Sequence, residues 1–138
     1  MAYEANLGTL LRTCDAVGAC IAVPSTPHYR QALRRGDTLV GRPCTHWVDR
    51  KLSWLRRQHE RGARIVGVEL ADDATRLADL APARQLTVVV LGHEHYGIPD
   101  EAWEQLDEVV EIPMVGSGSS LNVAVAGSLV LYKLAGLV

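Results

Sequence analysis

Residues 86–99 read LTVVVLGHEHYGIP, in which an apolar run is followed directly by a polar stretch. The run LTVVVL is continuous and β-branched, which is typical of a strand buried on both faces of a parallel sheet. The residues that follow it, 92–99, combine two glycines, a proline and charged or polar side chains, and they predict a loop. Loops at the ends of strands bind ligands in open α/β sheets, so this loop is a candidate binding segment.

The segments around this stretch alternate between strands and helices. RIVGVEL (64–70) and EVVEI (108–112) predict two further strands. Helices are predicted over residues 49–62, around residues 74–80, from Pro99 to Leu106, and in a long terminal segment after residue 119. Such alternation predicts a three-layer α/β domain with a mainly parallel sheet.

The first part of the chain begins with a predicted helix. Its apolar positions from Leu7 to Val17 follow helical spacing, Asn6 is placed to cap it, and Gly18 is placed to end it. A short β-favouring run, 19–23, closes at Pro24, and residues 24–45 predict loop and a short helix. At 138 residues and 48% hydrophobic, the chain has room for one compact domain, 1–138.

Charge is distributed unevenly along the chain. Residues 30–64 contain ten arginines and lysines and three acidic residues, a balance of +7, so the remainder carries −9 within a total of −2. This asymmetry predicts a basic face for a polyanion, with four arginines as candidate ligands for its negative charges. They are Arg34, Arg35, Arg56 and Arg57. The alternative is a pair of solvated helices whose arginines keep the protein soluble.

The cysteines and histidines predict no metal site. Cys14, Cys20 and Cys44 are odd in number and lack CxxC spacing, so they indicate neither a disulfide framework nor a zinc site and favour a reducing cytoplasm. Residues 93–95 read HEH and lack the HExxH spacing of a metalloprotease helix. The apolar run 121–138 barely reaches the ~20 residues that cross a bilayer and contains polar residues, so it predicts a buried helix and no membrane partner.

Three segments together carry the functional signal. They are NLGTLLRT (6–13), LGHEHYGIP (91–99) and IPMVGSGSSLNVAV (112–125). In this order they resemble the signature motifs of the TrmH (SpoU) family in the SPOUT superfamily, and the resemblance extends over essentially the whole chain. It implies an RNA 2′-O-ribose methyltransferase that uses S-adenosylmethionine.

The resemblance also implies a topology and an assembly. Family members have a deep trefoil knot, here over about residues 86–138, whereas periodicity alone predicts an unknotted doubly wound sheet. They pair as homodimers whose substrate site is completed across the interface. The small and apolar residues of the terminal helix agree with this pairing, and the alternative is a helix buried wholly within one subunit.

The resemblance assigns cofactor contacts to Gly92, Ile112 and Leu121, with Leu91, Met114 and Ser120 alongside. An apolar slot with a few main-chain donors and acceptors suits the adenine of the cofactor. Glycine at position 92 allows close approach of the backbone. Without the companion motifs, Gly92 would be an ordinary glycine at the end of a strand.

Catalytic positions are implied at Asn6, Arg12, Glu94, Ser120 and Asn122. Taken singly, Asn6 is a helix cap, Glu94 a loop carboxylate and Asn122 a polar residue in a first helical turn. Arg12 is the strongest candidate, because an arginine beside a ribose can grip a phosphate with two hydrogen bonds and stabilise charge that develops on oxygen.

The predicted activity is methylation of a ribose 2′-hydroxyl, with tRNA favoured over rRNA. The segment NLGTLLRTCDAVG (6–18) is most similar to the branch that methylates guanosine in tRNA. One alternative is a catalytically silent RNA-binding or assembly factor that retains the knotted cofactor site. Another is methylation of a base or of a substrate other than RNA.

Overall fold

The structure is a computed structural model that describes residues 4–36, 44–93, 96–118 and 120–138, except the side chains of residues 35 and 36. The helices are α1 (Glu4–Val17), α2 (Pro27–Gly36), α3 (Lys51–Glu60), α4 (Asp100–Trp103) and α5 (Val123–Leu134). The strands are β1 (Ile21–Pro24), β2 (Thr45–Val48), β3 (Arg64–Val68), β4 (Thr75–Arg76), β5 (Thr87–Leu91) and β6 (Glu108–Glu111). Residues Leu77–Asp79 form a 3₁₀ turn.

Within the described residues, the strands form two sheets. Four of them lie in the order β4-β6-β3-β5, and β1 pairs with β2. Every pair of strands within the described ranges is parallel, which confirms the predicted α/β fold with a parallel sheet. The predicted strand at 86–91 is present as β5, but it lies at an edge of the four-stranded sheet and its residues are only half-buried.

Helices cover both faces of the larger sheet. On β3, Ile65 packs on one face with Leu55 of α3, and Val66 packs on the other face with Val130 of α5. Successive residues of a strand point to opposite faces, so a continuous apolar run supplies both sides. The sheet therefore lies between two layers of helices, which is the predicted three-layer arrangement.

A separate core lies between α1, α2, α5 and the strand β1. Leu7, Leu11 and Cys14 of α1 are buried there with Ala32 of α2 and Ala124 of α5. The helix α1 ends as predicted, because Gly18 adopts a φ of 73° and the Ala19 N–H donates to the Cys14 carbonyl at 2.7 Å.

Two local predictions are wrong. Asn6 does not cap α1: the helix already includes Glu4, and Asn6 is a buried residue of its first turns. Residues 74–80 form the short strand β4 and a 3₁₀ turn rather than a helix. In both places a tertiary contact, a bond to Asn122 for Asn6 and pairing with β6 for Thr75, prevails over the local preference.

The prediction that the cysteines form no disulfide is also wrong. Cys20 and Cys44 form a disulfide, with Cα atoms 4.5 Å apart. The cause is the pairing of β1 with β2, in which Ile21 lies opposite Thr45 and the preceding cysteines meet. Cys14 is the free, buried cysteine.

The terminal apolar run forms α5, which contributes Ala124, Gly127, Val130 and Leu134 to the interior, as predicted for a buried helix. Within the described residues, no helix has both the length and the apolar character needed to cross a bilayer.

Candidate active site

A cavity of about 530 Å³ lies where the carboxyl ends of β3, β5 and β6 meet the start of α5. Parallel strands place their carboxyl ends at one edge of a sheet, and a ligand site is expected there. The volume is within the range of about 300–1,000 Å³ that is usual for small-molecule pockets. The lining residues are Val68, Glu69, Leu70, Leu91, Gly92, His93, Val110, Ile112, Met114, Ser120, Leu121, Asn122, Val123 and Ala126.

All six residues assigned to the cofactor from the sequence line this cavity. They are Leu91, Gly92, Ile112, Met114, Ser120 and Leu121. They come from three stretches of the chain, 91–92, 112–114 and 120–121, which the fold brings together around the cavity. The lining combines apolar side chains with backbone segments and a few polar side chains, which is the arrangement that an adenine ring requires.

Gly92 is fixed by the loop that follows it. A Cβ atom at this position would lie 2.6 Å from the carbonyl carbon of Gly97, closer than real Cβ contacts. The loop is closed by two main-chain hydrogen bonds between His93 and Gly97, of 3.0 and 2.9 Å. Gly97 has a φ of 69°, which favours glycine. The glycines thus let the loop fold back tightly over the end of β5.

Glu69 is a charged residue of the cavity that the sequence analysis missed. It follows β3, and its Oε2 accepts from the Ile98 N–H at 3.3 Å, while Oε1 accepts from the Leu70 N–H at 3.4 Å. The carboxylate therefore holds the loop closed and offers acceptors to a ligand. The position of Glu69 directly after the strand RIVGV could have identified it, because residues at the ends of strands contact ligands in this class of fold.

Asn6 and Asn122 are brought together although 116 positions separate them. The Asn122 Nδ2 donates to Asn6 Oδ1 at 3.0 Å. Asn122 Oδ1 accepts from the N–H groups of Ala124 and Val125, so Asn122 caps α5. One side chain thus begins α5, joins it to α1 and lines the cavity.

The other predicted catalytic residues are placed differently. Ser120 lines the cavity, whereas Arg12 is an exposed residue of α1 that does not line it. Its neighbour Thr13 bonds to Ser128 of α5, with the two hydroxyl oxygens 2.7 Å apart, so α1 is held to α5 at this level. Glu94 lies outside the described residues.

In the described part of the basic segment, the candidate arginines lie on two helices with different packing partners. Arg34 is exposed on α2, which packs on α1, and Arg56 and Arg57 are exposed on α3, which contacts α4. The side chain of Arg35 lies outside the described part of the chain. Arg64 is less available to bind a phosphate, because its guanidinium forms an ion pair with Glu108 of the neighbouring strand.

Aromatic residues of this segment have separate roles. The Arg30 guanidinium lies 4.2 Å from the ring centroid of Trp47. Such stacking satisfies the cation and leaves less of the ring for a nucleic-acid base. Trp54 is half-buried against Leu55, Ala63 and Ile65, and its ring belongs to the core.

The fold and the cavity define a class of protein, an α/β domain with a parallel sheet and a ligand cavity at the carboxyl edge. The family follows from comparison, since residues 1–132 match the model of the SpoU rRNA Methylase family. The chain belongs to this family.

Similar proteins agree with this assignment. The chain is 32% identical over 136 residues to the tRNA (guanosine(18)-2'-O)-methyltransferase of Thermus thermophilus, covering 93% of this chain and 66% of that enzyme. It superposes on the A. aeolicus TrmH/SpoU tRNA modifying enzyme with a TM-score of 0.78 and 28% identity, covering 97% and 69% of the two chains. The AdoMet-bound rRNA methyltransferase of Sinorhizobium meliloti gives a TM-score of 0.75 and 26% identity, covering 95% and 51%. The chain spans just under two thirds of the Thermus enzyme.

Proposed function

We propose that this protein transfers a methyl group from S-adenosylmethionine to a ribose 2′-hydroxyl of RNA, with tRNA as the favoured substrate and rRNA as the second. The observation that carries the proposal is the cavity, whose wall contains all six residues that the family motifs assign to the cofactor. The Thermus relative, named as a tRNA guanosine methyltransferase, supports the preference for tRNA.

The cavity fits the cofactor by its chemistry as well as its size. Leu91, Ile112 and Leu121 supply apolar surface, and Gly92 and His93, at the start of the tight loop, also line the cavity. Glu69 supplies a carboxylate that can accept hydrogen bonds from hydroxyl or ammonium donors. When bound there, adenosylmethionine supplies the electrophilic methyl group.

The polar residues are proposed to act on the ribose. Asn122 and Ser120 lie in the cavity wall, and Asn6 holds Asn122 in place through its Oδ1. Arg12 orients the 2′-hydroxyl and an adjacent phosphate, and Glu94 belongs to the same polar set. A guanidinium suits this task because it is planar, always charged and able to bind a phosphate with two hydrogen bonds.

The proposed working form is a homodimer in which Arg12 reaches the cavity of the other subunit. Arg12 does not line the cavity of its own subunit. Val125 and Leu129, four positions apart on α5, are 46% and 38% exposed, and the neighbouring Leu121 is 37% exposed and lines the cavity. An apolar surface that begins at the cavity suits a second copy of this chain, because the partner then covers the apolar residues and completes the site.

The finer features of the fold belong to the same proposal. The domain comprises residues 1–138, and the knot lies at about 86–138, where β5, the loop after it and α5 surround the cavity. A cytoplasmic location follows from an RNA substrate. The number of cysteines does not support this location, because Cys20 and Cys44 form a disulfide.

A direct test uses the purified protein, adenosylmethionine labelled in its methyl group, and either tRNA or rRNA. After digestion, nucleoside analysis is expected to show label in a 2′-O-methylated nucleoside from tRNA. Label in a base would establish the base-methylating alternative. RNA binding without any transfer would contradict the proposal and establish the silent binding factor.

A further inference from the structure

Three potential metal ligands meet at the start of the small sheet formed by β1 and β2. Cys20 and Cys44 precede the paired residues Ile21 and Thr45, and the Ile21 N–H donates to the Cys44 carbonyl at 2.9 Å. His46 lies two positions after Cys44, and residues at this spacing share one face of a strand. The His46 Nε2 is 3.5 Å from the Cys44 Sγ.

The three side chains can converge on a single cation. Their ligand atoms lie within 4.8 Å of one another, and all three residues are exposed. Thiolate and imidazole are the preferred ligands of zinc, and ligand atoms on one tetrahedral zinc ion lie roughly 3.5–4 Å apart. Once the sulfur–sulfur bond is open, a small adjustment of side chains therefore brings the three atoms to coordination distance.

We propose that Cys20, Cys44 and His46 form a redox-controlled metal site, which binds Zn²⁺ when the two cysteines are reduced and releases it when they form their disulfide. None of the three lines the cavity beside α5, so this site is separate from the proposed methyl-transfer site. Water can complete the fourth position, because the ligands face solvent.

The chemistry of the exchange balances with a dithiol as reductant. The external dithiol gives two electrons and two protons, the Cys20–Cys44 bond breaks to two thiols, and the reductant becomes a disulfide. Binding of Zn²⁺ then displaces the two thiol protons to solvent, and neutral His46 supplies the lone pair of a ring nitrogen. Reoxidation by a disulfide reverses these steps and frees the metal.

The remaining cysteine provides a matched control. Cys14 is buried in the core around α1, and burial raises the pKa of Cys14 to about 11. It therefore stays a protonated thiol at neutral pH and does not compete for the metal.

The test uses the whole protein, reduced with a phosphine under nitrogen and then freed of reductant. Titration with Co²⁺, a spectroscopic substitute for zinc, is expected to produce a thiolate-to-metal charge-transfer band that saturates at one ion per chain and disappears on addition of Zn²⁺. The oxidised protein is expected to show no band. Cys20→Ser and Cys44→Ser should each remove it, and Cys14→Ser should leave it unchanged. His46→Ala should weaken the affinity for the metal by at least about tenfold, because loss of a residue that only orients a metal ligand already lowers metal affinity by that factor.

A second measurement needs no variant. Reduced wild-type protein is alkylated with and without Zn²⁺, and mass spectrometry locates the label. Protection of Cys20 and Cys44 is expected with zinc. Equal labelling in both samples, or a charge-transfer band that persists in Cys20→Ser, would overturn the proposal.

Discussion

At the scale of single residues, the asparagine pair joins two distant parts of the chain. Asn122 donates to Asn6 and also accepts from the first N–H groups of α5, so its replacement removes a cap and a tertiary bond together. A serine or aspartate could supply the cap, but neither could also donate to Asn6 through an amide. An asparagine at position 122 can therefore make both contacts with one side chain.

The asparagine pair can be tested by a double-mutant cycle. We expect Asn6→Ala to destabilise the protein by about 1 kcal/mol and Asn122→Ala by about 2 kcal/mol, because the latter also removes the cap. The coupling energy between the two changes should be about 0.5–1.5 kcal/mol. Urea unfolding of the four proteins measures it. Strict additivity would show that the hydrogen bond contributes nothing to stability.

Arg12 provides the second test at this scale. Because a guanidinium stays protonated at neutral pH, we expect Arg12 to act as a fixed cation that orients the ribose and stabilises the developing alkoxide, while the proton leaves through phosphate or water. Arg12→Ala should abolish methylation and leave cofactor affinity nearly unchanged. Arg12→Lys should keep a small residual activity, because the charge remains without the planar fork.

Single-turnover rates of both Arg12 variants from neutral to alkaline pH separate the mechanisms. If the residue at position 12 took the proton itself, a lysine would become a better base as it lost its own proton. A rate for Arg12→Lys that rises with pH to the wild-type value would therefore exclude the fixed-cation mechanism.

At the scale of elements, the loop after β5 depends on a close approach of two backbone segments. Gly92→Ala would place its Cβ 2.6 Å from backbone, which cannot move aside as a side chain can. The strain of such overpacking is about 1–3 kcal/mol, so we expect cofactor affinity to fall by about fivefold to 150-fold. Gly116→Ala is the matched control, because nothing lies within 4 Å of its added Cβ.

Calorimetric titration with adenosylmethionine measures both glycine variants. Circular dichroism checks that each remains folded. Unchanged affinity in Gly92→Ala would mean that this loop does not shape the cofactor cavity.

At this scale, a feature can be predicted from the sequence when local interactions determine it, and not when contacts between distant segments do. The strands at 64–68, 87–91 and 108–111 are predictable because their β-branched residues favour extended structure, and this preference is local in sequence. The Cys20–Cys44 bond is not, because it depends on which strand pairs with β1. The position of Asn6 inside the helix is not predictable either, because its local sequence pattern fits a helix cap equally well. The six cavity residues were assigned from the family motifs, since periodicity does not reveal which strand ends meet.

At the scale of the whole molecule, the exposed face of α5 should form the dimer interface. We expect the wild-type protein to be a dimer in light scattering at micromolar concentration and Val125→Glu to be a monomer, since a charge in an apolar interface is costly. Leu86→Glu is the matched control, because Leu86 is 51% exposed and precedes β5, away from the cavity edge. A monomeric wild-type protein would contradict the shared site.

The basic segment, residues 30–64, is the proposed contact surface for RNA. Its candidate arginines lie on two helices, α2 and α3, that pack in different places. Each phosphate contact that is lost should reduce the slope of log affinity against log salt by about 0.7 for single strands and 0.9 for duplexes. Arg56→Gln with Arg57→Gln should therefore lower the slope by about 1.4–1.8 if both arginines of α3 bind phosphate. Arg34→Gln should lower it by about half as much if α2 also contacts the RNA.

These variants distinguish a binding surface from a solubilising one. Arg84→Gln removes another exposed arginine, which lies outside the basic segment, and should leave the slope unchanged. Cofactor affinity should stay the same in every variant, because none of these arginines lines the cavity. A slope that changes only in the α3 variants would place the RNA on that side of the sheet, and a slope that changes only in Arg34→Gln would place it beside α1 and Arg12. If all variants keep the wild-type slope, the arginines serve solubility and the RNA binds elsewhere on the dimer.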